Sequence, residues 1–152
     1  LKLSGINFVS NPLVNTHLQG RMDTYPKRRG VTRVKELTDA GINVSFGQDD
    51  IEDPWNPMGT GNLRDVVFNG LYTTQMMSRS EILNSYKFIT HNAARTLHLS
   101  DYGIQVGNSA NFIMLDAPDW FHVLSFGAPV LGSWRAGKQI YSATPSQRGV
   151  KF

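Results

Sequence analysis

Residues 41 to 50, Gly-Ile-Asn-Val-Ser-Phe-Gly-Gln-Asp-Asp, set the strongest limit on how this chain folds. Ile42, Val44 and Phe46 alternate as in a β-strand, and the strand runs into two adjacent carboxylates, Asp49 and Asp50. An earlier strand pattern, Ile6, Phe8 and Val9, stops at Ser10-Asn11-Pro12. Between the two, residues 15 to 31 are polar and rich in turn formers, and read as a long loop. Thr32 is placed to cap a helix through Val34 and Leu37, which Gly41 then stops. Strand, loop, helix, strand is the order of a βαβ unit with parallel strands. Two parallel strands cannot bury both faces and both edges by themselves. The chain therefore reads as the end of a larger fold.

Downstream, Leu63, Val66, Val67 and Leu71 lie at helical spacing. Ser78 with Glu81 three residues on has the form of a capping box. Ile82, Tyr86, Ile89, Ala93 and Leu97 continue a helical stripe, with a break expected near Thr90, which can cap a second segment. From about Tyr102 the texture becomes turn and strand, with a hairpin expected at Ala136-Gly137. The expected order is α/β first and a small all-β segment last.

The chain has 152 residues, enough for one domain with a real core. A charged fraction of 18%, against a usual ~25%, points to a large buried or subunit-facing surface. Net charge is +3, and the one dense basic cluster is Lys27-Arg28-Arg29, so no nucleic-acid partner is expected. There is no cysteine, which excludes a disulfide framework and thiolate chemistry and fits a reducing cytoplasm. No apolar run is long enough to span a membrane. The chain starts without Met, and is expected to be a processed or truncated piece.

Strands of α/β proteins present chemistry at their carboxyl ends. On one reading, Asp49 is a metal ligand or general base, and Asp50 and Trp55 wall a substrate pocket. On the other, Asp49 or Asp50 caps the next helix and Trp55 fills core.

Longer stretches carry a resemblance. They include Gly5-Ile6-Asn7-Phe8-Val9, Asn11-Pro12-Leu13-Val14-Asn15, His17-Leu18-Gln19-Gly20-Arg21 and Asp23-Thr24-Tyr25-Pro26-Lys27-Arg28-Arg29-Gly30. Asp49-Asp50, Asp53-Pro54-Trp55, Ile89-Thr90-His91, Ala94-Arg95-Thr96-Leu97 and Gly107-Asn108-Ser109-Ala110-Asn111 continue it. In these the chain resembles the carboxyl-terminal part of bacterial cytosine deaminases, in the amidohydrolase superfamily. The likeness covers nearly the whole chain and weakens after about Asp116. It implies an α/β fold: the last two strands and helices of a (β/α)8 TIM-like amidohydrolase barrel, plus strands of a small β-sandwich. Residues 5 to 10 would be the seventh barrel strand and 42 to 48 the eighth. Residues 1–100 would belong to the barrel and 101–152 to the composite sandwich domain.

The resemblance also implies a reaction, hydrolytic deamination of cytosine to uracil and ammonia. Water would be activated by a divalent metal, iron or zinc. Asp49 would bind that metal and take a proton; Asp50 and Trp55 would line the pocket of a nucleobase-like substrate. The family implies a homo-oligomer. Two departures stand out. Gln48 replaces a histidine expected before the paired aspartates, and the metal-binding histidines and catalytic glutamate of earlier strands are missing. His17, placed in the long loop, His91 and His98 on a helix, and His122 in the tail do not replace them. The metal site is thus expected to be incomplete here, and the isolated chain inactive without the missing N-terminal part of the barrel. Two alternatives stay open: a related amidohydrolase acting on a triazine or modified pyrimidine, or a catalytically dead structural or oligomerising fragment.

Overall fold

The computed structural model describes residues 1–145. They form mixed α/β structure in two compact units, the first spanning Leu1–Ser100 and the second starting at Asp101. The last part of the expected sandwich domain, 146–152, lies outside the described residues.

In the first unit, β1 (Phe8–Ser10) and β2 (Val44–Phe46) pair in parallel, with Phe8 opposite Val44 and Ser10 opposite Phe46. The Phe8 N–H donates to the Asn43 carbonyl and the Gly47 N–H to that of Ser10, each at 2.9 Å. The sheet has these two strands alone, so each has one unpaired edge. All of β2 is buried, whereas Val9 in the middle of β1 is 54% exposed.

Helix α1 (Pro12–Leu18) begins directly after β1. This corrects the expectation of a loop from residue 15: Pro12 is pre-set for a first helical position, and Pro12 and Val14 are buried. His17 therefore lies on a helix. The irregular stretch that follows is strapped by Arg28, whose Nε and Nη2 donate to the Asp23 carboxylate at 2.7 and 2.6 Å. Helix α2 (Val34–Asp39) is not capped by the Thr32 side chain; Thr32 only accepts the Val34 N–H at its carbonyl. Gly41 ends α2 as expected. At φ 72° it lets the Gly41 and Ile42 amides turn back to the carbonyls of Thr38 and Leu37.

Helix α3 (Leu63–Thr73) starts at Asn62, whose side chain accepts the Arg64 N–H at 3.1 Å. It buries Val66, Val67, Gly70 and Leu71. The core is completed by Phe46 of β2, stacked on Phe88 at 4.5 Å between ring centres. Helix α4 (Arg79–Asn84) opens with the expected capping box, Ser78 and Glu81 bonding reciprocally. The stripe then breaks as expected: a 3-10 turn covers Ser85–Ile89, and α5 (His91–Thr96) follows. Thr90 does not cap α5, because its hydroxyl donates to the Tyr86 carbonyl at 2.8 Å. Helix α5 is pinned to β2 by amides. Asn92 Nδ2 donates to the Val44 carbonyl at 2.8 Å, and Asn43 Nδ2 to Thr96 Oγ1 at 3.0 Å.

In the second unit, β3 (Phe112–Leu115), β4 (Val130–Arg135) and β5 (Lys138–Ser142) form an antiparallel sheet in that order. The β4–β5 hairpin turns at Ala136-Gly137 as expected, with φ 48° and 78°. The unit is not all-β. Helix α6 (Trp120–Phe126) lies between β3 and β4, capped by Asp119 and ended by Gly127 at φ 64°. Its aromatic and β-branched residues favour strands when read alone, and that preference masked the Asp and Gly at its two ends.

Glu81 links two elements: Lys35 of α2 pairs with its carboxylate while Ser78 donates to it. The Lys35 hydrogen bond first, then those from Ser78, hold the Glu81 carboxyl down from 4.5 to about 2. A depressed acid stabilises the fold above its unfolded pKa and stops doing so as pH falls through its folded one. Glu81→Gln should therefore cost about 1 kcal/mol at neutral pH in denaturant titrations. The gap to the wild type should close as pH falls from 4.5 toward about 2. A gap that stays constant over that window would exclude the charge as its source.

Candidate active site

The carboxyl ends of β1 and β2 lie side by side because the strands are parallel and in register. One residue past β1 stands Asn11; three past β2 stands Asp49. Asn11 Nδ2 donates to Asp49 Oδ2 at 3.1 Å, across 38 positions of sequence. Asp49 is exposed and has φ 63°, a left-handed backbone that aspartate tolerates better than most residues. This places the first of the expected site residues at the mouth of the strand pair.

A self-closing loop carries the rest. Gln48 and Asn56 are buried at its base, each 8% exposed. Asn56 Nδ2 donates to the Asp50 carbonyl at 2.9 Å, and the Glu52 N–H donates to Gly59 at 3.0 Å. Asp53 Oδ1 accepts the N–H groups of Trp55 and Asn56 at 3.0 and 2.7 Å. The Trp55 backbone is thereby held while its indole stays 54% exposed. Trp55 does not fill core, nor does Asp49 or Asp50 cap α3; Asn62 does that.

Asp50 is half-buried next to Asp49. Loss of solvent, then the negative charges of Asp49 and Asp53, push its carboxyl above the ordinary range. The three acids thus gather like charge at one edge of the unit. Such an arrangement favours a cation or a hydrogen-bond donor over another anion.

The donors do not make a metal centre by themselves. No group of three or more His, Asp or Glu side chains able to hold an ion occurs among the described residues. His91 opens α5 and bonds Thr90, His98 follows α5 with φ 54°, and His122 Nδ1 pairs with Asp119 at 2.7 Å in α6. Asp49 suits one position of a divalent-metal site, not the whole of it.

Two features escaped the sequence reading. Asn11 falls where the first strand pattern stops, 38 positions before Asp49, and that separation hides its partner. The buried Gln48–Asn56 pair shows only as polar residues flanking a turn, and Gln48 Oε1 has no hydrogen-bond partner.

The amidohydrolase family pattern matches residues 2–141. The fold is similar to that of 5-methylcytosine deaminase from Klebsiella pneumoniae, in crystals liganded with phosphonocytosine. The TM-score is 0.93 with 46% identity, over 99% of this chain and 37% of that one. In sequence the chain is 36% identical over 93 residues to N-isopropylammelide isopropyl amidohydrolase of Pseudomonas sp. (strain ADP), covering 57% of this chain and 22% of that protein. It is 28% identical over 147 residues to pterin deaminase of Rhizobium rhizogenes (strain K84), covering 95% and 33%. The chain thus spans from 22% to 37% of the length of these relatives.

The loop depends on a bare position at Gly59. A Cβ there would stand 2.6 Å from both Asn56 Nδ2 and the Asp50 carbonyl oxygen. The oxygen belongs to the backbone and cannot swing aside. Gly59→Ala should lower stability by about 1–3 kcal/mol in thermal melts and speed proteolysis between Asp50 and Gly59. Unchanged melting and cleavage would show that the loop is not built on this contact.

Proposed function

We propose, for a chain that belongs to the amidohydrolase family, that it forms the last third of a (β/α)8 barrel hydrolase removing the ring amine of a cytosine-like substrate. Strands β1 and β2 take the seventh and eighth barrel places, and their free edges receive strands of the N-terminal part. The observation that carries the reading is Asp49, held at the joint mouth of two parallel strands by Asn11. The 46% identity to a 5-methylcytosine deaminase over nearly the whole chain supports it.

In this reaction the oxygen of water bonds to the amine-bearing ring carbon. The C–N bond breaks, and ammonia leaves with a proton. A divalent ion, iron or zinc, supplies acidified water in such sites. Asp49 contributes one oxygen ligand and accepts a proton, and the remaining donors come from the N-terminal part of the barrel. Asp50, half-buried beside Asp49, contacts the ring edge, where its carboxyl can hydrogen-bond a ring N–H. The exposed Trp55 indole offers a flat wall for a planar ring. The second unit would join the β-sandwich, and the assembled enzyme would be a cytoplasmic homo-oligomer without a nucleic-acid partner. No helix among the described residues is long and apolar enough to cross a membrane.

A second reading, a sibling amidohydrolase of triazines or modified pyrimidines, is supported by the 36% identity to N-isopropylammelide isopropyl amidohydrolase and by Gln48. A third, a structural or oligomerising fragment, draws support from the absence of a complete metal-holding group among the described residues. Ammonia release from cytosine and from triazine amines, with the N-terminal polypeptide supplied, separates the first two. Stoichiometric iron or zinc on the purified chain alone would exclude the third. The chain alone should turn over neither substrate.

In the complete enzyme, Asp49→Ala should lower kcat by about 10³-fold or more, since it removes a ligand and a proton acceptor together. Asp50→Ala should chiefly change the ratio of kcat/KM between cytosine and 5-substituted cytosines. Mild and equal losses from both would mean that neither carboxylate takes part in the chemistry.

A further inference from the structure

Asn11 stands at the N-cap position of α1, where asparagine is among the strongest capping residues. Its side chain nevertheless makes no bond to the first turn of α1. Asn62, in the same position on α3, does cap its helix, at 3.1 Å. The difference lies in what else each side chain can reach. Asn11 Nδ2 is turned to Asp49 Oδ2, across the strand mouth.

Two further features support that choice. Gly47 lies on β2's extension beside Asn11. A Cβ at residue 47 would fall 2.6 Å from Asn11 Oδ1 and 3.2 Å from Val9 Cγ1, so a bare residue is what leaves room for the amide. Asp49 itself is held at φ 63°, a left-handed backbone uncommon outside glycine, though aspartate is among the residues that adopt it most readily. A forfeited cap, a cleared space and a left-handed backbone meet at one hydrogen bond. Local conflicts of this kind concentrate at functional positions.

We infer that Asn11 is a positioning residue: its amide orients the Asp49 carboxylate through Oδ2 and so determines that Oδ1 faces the reacting groups. This rests on the reading of Asp49 as the reactive carboxylate. Without the amide, the carboxylate turns about its Cβ–Cγ bond and spends less time in the productive orientation.

The test uses the complete enzyme, this chain with its N-terminal polypeptide, and cytosine as substrate. Asn11→Ala should lower kcat about 10–100-fold, the usual effect of losing a partner that orients a catalytic ligand, and leave KM within about 2-fold. Because no cap is lost, the melting temperature should move by no more than ~2 °C. Asn11→Asp keeps the shape but sets a like charge against Asp49, and should lower kcat further than Asn11→Ala. In an Asp49→Asn background, Asn11→Ala should add no further loss, because the group it orients is gone. Full kcat in Asn11→Ala while Asp49→Asn is inactive would overturn the inference alone. So would a loss that multiplies unchanged in the Asp49→Asn background. Full activity in Asp49→Asn would instead overturn the reading beneath it.

Discussion

Parallel pairing of two three-residue strands governs the first unit. Parallel strands put their carboxyl ends together, so residues 38 positions apart in sequence become neighbours. The same pairing is too small to be self-sufficient. Each strand keeps an unpaired edge and Val9 stays exposed, although β2 is buried throughout by Phe88, α3 and α5. The unit thus has a dry helix-side core and a polar strand mouth. In α/β proteins such mouths are where chemistry is placed.

Around that mouth the chain relies on short polar bonds rather than apolar packing. Buried amides of Gln48 and Asn56 close the loop after β2, and Asp53 holds the Trp55 backbone while the indole remains outside. Loss of solvent, then the negative charges of Asp49 and Asp53, raise the Asp50 carboxyl there. A structure that tolerates this gathering of like charge is suited to binding a cation or a proton at the same place. Helix α5, tied to β2 through Asn43, Asn92 and Thr96, braces the strand away from its carboxyl end.

Much of this was legible beforehand because it rests on local rules. The alternation of Ile42, Val44 and Phe46, the Gly41 stop, the Ser78–Glu81 box and the Ala136-Gly137 turn each involve residues within a few positions of one another. The misreadings share a different cause. Helix α1 was hidden because Pro12 and Val14 gain their burial from distant elements. Helix α6 was hidden because its aromatic residues favour a strand when considered alone. Thr90 stands at the N-cap of α5 and Thr32 one residue before that of α2, yet both helices begin without a bond from these side chains.

By itself, the sequence determined the strand–helix–strand order around residues 34–46 and the two carboxylates at a strand's end, which reside in short spacing, and its longer motif stretches carried the family resemblance. It could not determine what Asn11 touches. An asparagine before a proline has a ready local partner in its own helix, and only the strand pairing, with Gly47 left bare beside it, offered a distant carboxylate instead. Hydrogen bonds between elements depend on register and clearance, and those exist only once the backbone has folded.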